Sequence, residues 1–145
     1  MSGLVVDASV ALKWAMPSSG EPFTAEAAAL LDRYVNGELD FIVPDIFWAE
    51  IGNVLWKGVA RRRWNRPDAE AAMKAIAALA FFTVPSQDLL PEALELAFAH
   101  GRTVYDCLYI ALAIQYGMDV ITADEKLANA LAARLPVKWL GAFPA

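Results

Sequence analysis

The stretch Gly3-Leu-Val-Val-Asp-Ala-Ser9 decides how this chain folds, because a short apolar run ends on an acid where a helical pattern begins. An apolar run of this length is typical of a strand that is buried on both faces. The same arrangement returns late in the chain, where Val120-Ile-Thr-Ala123 leads to Asp124. Two acids are therefore expected at the carboxyl ends of two buried strands.

The rest of the chain alternates short strand patterns with helical patterns. Strands are predicted at 3–7, 41–43, 81–84, 120–122 and 137–140. Helices are predicted at 8–15, 22–36, 45–62, 67–80, 89–99, 104–116 and 125–133, with a break at Pro17-Ser-Ser-Gly20. Strands separated by single helices or helix pairs indicate an α/β protein with a parallel sheet covered on both faces. One domain over residues 1–145 is expected.

Composition narrows the class of protein. The hydrophobic share is 58% and the mean hydropathy is +0.38. The charge-free stretches near 75–87 and 107–118 are shorter than the roughly 20 apolar residues that a membrane span needs. We expect the excess of apolar residues to lie in buried strands, on covered faces of the sheet and in an oligomer interface. The amino terminus has no basic leader, and Cys107 is the single cysteine, so a reducing cytoplasm is the expected location.

Four acids that lie far apart in the sequence are expected to share one edge of the sheet: Asp7, Glu50, Asp106 and Asp124. Right-handed crossovers place the carboxyl ends of all parallel strands on one edge, and ligands bind there. Carboxylates in one pocket repel one another and resist desolvation, so a cation is needed to keep them ionised. Oxygen ligands without clustered His or Cys favour Mg2+ or Mn2+ over zinc, and such metals serve phosphate chemistry.

Each acid also has an ordinary structural explanation. Asp7 and Asp124 are both placed to act as helix caps, with Ser9 and Thr122 as neighbouring hydroxyl groups. Asp106 lies in a first helical turn, where the helix dipole favours an acid, although Thr103 is already well placed as the cap. Since structural caps have no reason to collect at one sheet edge, the four acids together favour a functional site.

Glu50 has the weakest individual signal. On a helical wheel it clusters with Asn53 and Lys57, and taken alone this pattern favours a solvated polar strip over a site. In the functional interpretation Glu50 completes the acidic set and Asn53 is a supporting amide.

One basic segment contrasts with the net charge of −5: Arg61, Arg62, Arg63 and Arg66 lie around Trp64. An acidic protein has no general basic surface for a nucleic acid, so any polyanionic substrate must be held by a local basic patch together with metal ions. A solvated helix end whose cations complement the dipole is the equal alternative.

Four motifs give the chain a clear resemblance. They are Val-Val-Asp7-Ala-Ser9-Val-Ala-Leu-Lys-Trp14, Pro44-Asp-Ile-Phe-Trp-Ala-Glu50-Ile-Gly-Asn53-Val-Leu-Trp56, His100-Gly-Arg-Thr-Val-Tyr-Asp106-Cys-Leu-Tyr-Ile-Ala-Leu-Ala113 and Val-Ile-Thr122-Ala-Asp124-Glu-Lys-Leu127. In order and spacing they resemble PIN-domain proteins, most of all the VapC-type ribonuclease toxins of toxin–antitoxin pairs. The resemblance runs over essentially the whole length, and each acid of the family has a counterpart.

The resemblance implies a three-layer α/β/α PIN-like fold with a five-stranded parallel sheet, over a single PIN domain. It implies an endoribonuclease that depends on Mg2+ or Mn2+, with Asp7, Asp106 and Asp124 as metal ligands and Glu50 completing the catalytic set. It also implies a homodimer and a small VapB-type antitoxin whose carboxyl-terminal segment occupies the acidic groove. Trp48, Trp56 and Trp64 are candidates for such contacts or for the core.

Other classes of protein fit less well. A receiver domain needs a phosphoacceptor Asp after its third strand, where this chain has Phe82-Thr-Val-Pro-Ser86. A dehalogenase-type phosphatase needs Asp-x-Asp after the first strand, and the chain has Asp7-Ala-Ser9. No glycine-rich phosphate loop occurs. The alternative from another class is a catalytically silent PIN-fold module that binds RNA or a protein without cutting.

Overall fold

The computed structural model describes residues 2–15 and 20–144. Most of the predicted break at 17–20 lies outside the described residues. The strands are β1 (Ser2–Val6), β2 (Leu39–Pro44), β3 (Phe82–Val84), β4 (Asp119–Thr122) and β5 (Val137–Trp139). They form one parallel sheet in the order β3-β2-β1-β4-β5. The predicted five-stranded parallel sheet is confirmed.

Helices join the strands in the predicted alternation. In the described part of the chain they are α1 (Ala8–Ala15), α2 (Thr24–Val35), α3 (Ile46–Ala60), α4 (Arg66–Ala78), α5 (Ser86–His100), α6 (Val104–Tyr116), α7 (Glu125–Leu131) and a short 3-10 turn at Leu140–Ala142. Helix α1 contacts α2, α3 and α4, while α5 packs on α6 and α6 lies against β1, β2 and β4. The arrangement is the three-layer α/β/α sandwich that the resemblance implied.

The order of the strands reverses beside β1. The chain runs outward from β1 to β2 and β3, then returns to β4 on the other side of β1 and continues to β5. The carboxyl ends of β1 and β4 therefore flank the point at which the direction changes. In open parallel sheets the crevice at such a point is the usual place for a ligand.

Helix α6 is fixed at both ends as the sequence predicts. The Thr103 hydroxyl oxygen accepts a hydrogen bond from the backbone N–H of Asp106 at 3.1 Å, and Gly117 ends the helix in the left-handed conformation with φ 65°. Every residue from Cys107 to Ala113 is buried, which includes the single thiol. Because α6 precedes β4 and packs on the parallel sheet, its first turn lies at the carboxyl edge of the strands.

Two acids in sequence positions typical of helix caps do not cap a helix. The sequence suggests that Asp88 caps a helix beginning at Leu89, but α5 begins one turn earlier at Ser86, so Asp88 lies within the first turn. Likewise Asn65, and not Asp68, caps α4 by accepting a hydrogen bond from the Asp68 N–H at 2.9 Å. In both places a helix begins before the acid, because a first helical turn tolerates polar residues and Pro that resemble a loop.

Aromatic side chains fill the core on one side of β2. The Phe41 ring stacks on Trp14 and Tyr34, with ring centroids 5.5 and 4.9 Å apart, and Phe81 packs edge-on against all three. Trp48 stacks on Phe81 and is half-buried, so this Trp belongs to the core. Trp56 is 65% exposed.

No helix in the described part of the chain is long and apolar enough to cross a membrane.

Candidate active site

Asp7 follows β1 and is held by two hydroxyl groups. Its Oδ2 accepts hydrogen bonds from Ser9 Oγ at 2.7 Å and from Thr122 Oγ1 at 2.8 Å. The backbone N–H of Asp7 donates to the Ile121 carbonyl at 3.1 Å. The carboxylate is thereby tied to the carboxyl end of β4 as well as to that of β1.

The two hydroxyl groups are themselves fixed by the backbone that follows β4. Ser9 Oγ accepts a hydrogen bond from the Ala123 N–H at 3.0 Å, and Thr122 Oγ1 accepts one from the Asp124 N–H at 3.1 Å. Thr122 has no exposed surface. Each hydroxyl accepts from an amide and donates to Asp7, so its proton has one direction in which to point. The network sets the position of one carboxylate oxygen at the switch point of the sheet.

Asp124 has two roles available to it. Its Oδ1 accepts a hydrogen bond from the Leu127 N–H at 3.1 Å, which caps α7, so the capping explanation is correct for this oxygen. Asp124 is exposed, and its charge contributes to raising the pKa of Asp106. The capping bond uses one carboxylate oxygen of Asp124, while the negative charge of Asp124 still acts on Asp106.

Glu50 lies in the second turn of α3 and meets α6 through a side-chain hydrogen bond. The Tyr109 hydroxyl donates to Glu50 Oε1 at 2.6 Å. Tyr109 is buried, and burial together with the charges of Asp7 and Glu50 raises the pKa of its hydroxyl, so the group stays a donor. Burial also raises the pKa of Glu50, with smaller contributions from the charges of Asp7 and Asp106, while the bond from Tyr109 lowers it.

Asp106 lies in the first turn of α6 and feels charges of both signs. Partial burial raises its pKa most, the Arg102 guanidinium lowers it, and the Asp124 charge raises it. The Asp7 pKa is raised as well, first by burial and also by the Asp106 charge, against the lowering effect of its hydrogen bonds. The pKa values of Asp7, Glu50 and Asp106 thus each respond to the charge of another acid, and Asp106 responds to that of Asp124, which links the four side chains in one neighbourhood.

This neighbourhood is not a closed metal cage. In the described ranges, no three His, Cys, Asp or Glu side chains lie close enough together to hold an ion by themselves. Mg2+ keeps several waters and uses only one or two carboxylates together with substrate phosphate oxygens. The donor set present, made of carboxylates with raised pKa values and hydroxyl groups, fits a hydrated ion of that kind.

The remaining candidates lie in different surroundings. Asn53 is exposed on α3, one turn beyond Glu50. Arg63 lines a cleft together with Ser9 and Asp124. Arg66 lines a different groove between α3 and α4 and pairs with Glu70 there. Arg61 and Arg62 are exposed at the end of α3. Of the four arginines, Arg63 is thus the one placed beside the acids.

Sequence reasoning missed two residues of the site, Tyr109 and Arg102. Tyr109 follows Asp106 by three residues on a helix that is almost entirely apolar, and a buried Tyr needs a partner for its hydroxyl group. Arg102 is the cation nearest in sequence to Asp106. In both cases the short distance in sequence from Asp106 indicates a residue near the site. Only the fold shows that Glu50 is the partner of Tyr109.

Comparisons with known proteins agree with this geometry. A model of the PIN domain family matches residues 4–131. Ribonuclease VapC3 from Pyrobaculum aerophilum is 34% identical over 130 residues, which cover 87% of this chain and 92% of that protein.

Two solved structures share the fold. PAE2754 from Pyrobaculum aerophilum has a TM-score of 0.72 at 22% identity, over 97% of this chain and 85% of that one. A toxin–antitoxin complex from Klebsiella pneumoniae has a TM-score of 0.62 at 17% identity, over 93% of this chain and 95% of that one. The match of the family model over most of the chain, on a fold that brings the four acids to one sheet edge, shows that this protein belongs to the PIN domain family.

Proposed function

We propose that this PIN-domain protein is an endoribonuclease that depends on Mg2+ or Mn2+ and acts as the toxin of a VapBC-like toxin–antitoxin pair. The observation that carries the proposal is the placement of the four acids. Asp7 and Asp124 follow the neighbouring strands β1 and β4, Asp106 lies in the first turn of α6, and Glu50 is hydrogen-bonded to Tyr109 of that helix. A relative named as a ribonuclease, 34% identical, supports the reaction class.

In the proposed site, Asp7, Asp106 and Asp124 hold the cation directly or through waters. A bound Mg2+ or Mn2+ would polarise the scissile phosphate and lower the pKa of a nearby water. Ser9 and Thr122 keep Asp7 in place through their hydrogen bonds. Asn53 is proposed as a supporting amide near Glu50.

Glu50 is proposed as the group that orients the attacking water and accepts its proton. The Tyr109 hydroxyl fixes Oε1 of Glu50, and the raised pKa makes the carboxylate a stronger base than an ordinary Glu. The proton passes from the water to Glu50 as the water oxygen attacks phosphorus. The bond from phosphorus to the leaving oxygen breaks on the opposite side, and that oxygen takes a proton from solvent water. The products are the two RNA fragments.

The proposed partners follow from the family. They are an RNA substrate, a small antitoxin of the VapB type and a second copy of this chain, in the cytoplasm where RNA is available. The Klebsiella pneumoniae toxin–antitoxin complex with the same fold supports an antitoxin partner. The arginines Arg61, Arg62, Arg63 and Arg66 are proposed contacts to the RNA backbone, and residues 1–145 are proposed as a single PIN domain.

RNA cleavage by the purified protein tests the proposal. Wild-type protein is expected to cut RNA with Mg2+ or Mn2+ and to stop when EDTA is added. Asp106→Asn is expected to lower the rate by at least about 100-fold, because one of the carboxylates proposed to hold the cation is lost. Asp119→Asn is the matched control, since Asp119 begins β4 and lies at the opposite edge of the sheet. Cleavage that persists in EDTA or in Asp106→Asn would reject the assignment. A folded protein that binds RNA and never cuts it would favour the silent binding module.

A further inference from the structure

A cleft of about 330 Å³ opens beside the acidic site and shares two residues with it, Ser9 and Asp124. Its lining also contains two cations, Lys13 and Arg63, and one acid, Glu21. Neither Lys13 nor Glu21 takes part in the proposed chemistry. The cleft therefore places two cationic side chains directly next to the acidic site.

Lys13 is the unusual member of this set, because it is a lysine with only 5% of its surface exposed. It lies in α1 four residues after Ser9, so the two side chains are on the same face of the helix. Its Nζ donates to Glu21 Oε2 across 3.4 Å, which is near the long limit for a hydrogen bond. A lysine is rarely buried without a close partner, and this contact is a loose one.

Arg63 approaches the same acid from the turn after α3. Its Nη2 lies 3.5 Å from Glu21 Oε1, and its guanidinium carbon lies 5.4 Å from the centre of the Trp64 ring. Each carboxylate oxygen of Glu21 thus accepts from one cation, Oε2 from Lys13 at 3.4 Å and Oε1 from Arg63 at 3.5 Å, and both contacts are long. The three side chains carry a net charge of +1 in a protein whose total charge is −5.

We infer that Lys13 and Arg63 form a subsite for a backbone phosphate of RNA next to the scissile one, and that Glu21 occupies this subsite until the substrate displaces it. The inference rests on the proposed function, because the cleft leads to the acids that would cut the chain. An ammonium and a guanidinium that face one acidic group from two sides suit the oxygens of a phosphate. Since phosphates carry no base identity, the subsite would position RNA without selecting its sequence.

RNA binding without cleavage tests the subsite. The affinity of a fluorescein-labelled single-stranded RNA is measured by anisotropy in EDTA over a range of KCl concentrations. Glu21→Gln is expected to tighten binding by roughly three- to tenfold, because both cations lose their internal partner. The slope of log affinity against log salt should steepen by about 0.7, the value for one further phosphate contact on a single strand. Arg63→Gln and Lys13→Met should weaken binding by a similar factor.

The chain supplies matched controls in the Arg33–Glu38 ion pair, which lies on α2 and the turn after it. Its 3.8 Å contact is also loose, and Arg33 is 49% exposed where Arg63 is 55% exposed. Glu38→Gln and Arg33→Gln change the net charge by the same amounts as the cleft variants. They are expected to leave RNA affinity within about twofold of wild type, since neither residue lines the cleft. Circular dichroism confirms that each variant is folded, and Arg63→Gln tests the subsite without disturbing a buried group.

The outcomes separate the subsite from the nuclease. The subsite is rejected if Glu21→Gln binds RNA no more tightly than Glu38→Gln and Arg63→Gln binds RNA no more weakly than Arg33→Gln. The three residues are then structural ion pairs. This conclusion holds even where Mg2+-dependent cleavage is intact. If the affinity differences appear in a protein that never cuts RNA, the subsite stands and the proposed nuclease fails. A wild-type protein without RNA affinity would overturn both.

Discussion

Asp7 is subject to two opposing influences on its pKa. Burial raises the pKa most and the Asp106 charge adds to this, while the hydroxyl groups of Ser9 and Thr122 lower it through their hydrogen bonds. The net direction is upward from the ordinary value of 3.8. Without a cation, the folded protein therefore holds this carboxylate ionised at a cost to its stability.

This cost predicts a pH-dependent gain in stability for Asp7→Asn in EDTA. Because the Asp7 pKa is higher in the folded state than in the unfolded state, the folded protein binds more protons between 3.8 and the raised value, and stability falls as pH rises through that window. The amide carries no charge, so near neutral pH the variant should melt at a higher temperature, with a shift of about 2–4 °C for each kcal/mol gained.

Below pH 3.8 the advantage should vanish, since Asp7 is then protonated in both states. Thermal melts followed by circular dichroism at several pH values measure the difference. Asp119→Asn removes the same charge at the far edge of the sheet and corrects for the change in net charge. A lower melting temperature for Asp7→Asn at neutral pH would show that the hydrogen bonds of the carboxylate outweigh its burial.

The residues of the site were predictable to different degrees. Asp7 and Asp124 follow from the rule that parallel strands end on one edge, and the fold confirms their placement beside Ser9 and Thr122. The link between Tyr109 and Glu50 was not predictable, because periodicity shows which face of a helix is buried and not which side chain on another helix it meets. For the same reason, periodicity does not indicate that Lys13 and Arg63 both meet Glu21.

At the scale of an element, the end of α3 decides where Arg63 points. Gly58 O accepts hydrogen bonds from the N–H groups of Arg63 at 2.8 Å and Trp64 at 3.2 Å, and Arg62 adopts the left-handed conformation with φ 59°. The Trp64 ring then packs directly on Gly58. The turn folds back on its own helix and carries Arg63 towards the cleft.

Gly58→Ala is therefore expected to destabilise the protein. A Cβ at this position would lie 1.9 Å from an atom of the Trp64 ring, so the ring and its turn must move, at a cost of about 1–3 kcal/mol. Gly52→Ala is the control on the same helix, where a Cβ meets nothing within 4 Å and higher helix propensity should add up to about 1 kcal/mol. Urea denaturation measures both. Equal effects of the two substitutions would contradict the packing role of Trp64.

The order of elements was easier to predict than their ends. All five strands and their joining helices were anticipated, since apolar runs and helical periodicity repeat along the chain. The sequence predicts too late a start for α5, because Pro85 and Ser86 resemble a loop and Pro91 follows closely. Helix ends depend on local hydrogen bonds, such as the cap that Asn65 gives to α4, and these compete closely with turns.

At the scale of the whole molecule, acidic and basic side chains are concentrated in different, adjoining places. The sheet brings four acids to its switch point, the adjoining cleft holds Lys13 and Arg63, and the chain as a whole carries −5. An acidic protein can act on a polyanion when cations are concentrated where the substrate lies. The fold supplies two of these cations as side chains, and the acidic crevice is proposed to recruit the others as metal ions.

Calorimetric titration of the metal-free protein with Mn2+ tests the central claim, which is that distant acids converge to bind a shared divalent cation. Wild-type protein and Asp119→Asn are expected to give a saturable heat of binding, while Asp7→Asn should lose it, because one carboxylate of a site with few direct ligands cannot be spared. If wild-type protein gives only the heat of dilution, or if Asp7→Asn binds Mn2+ as wild type does, the four acids do not form the proposed metal site.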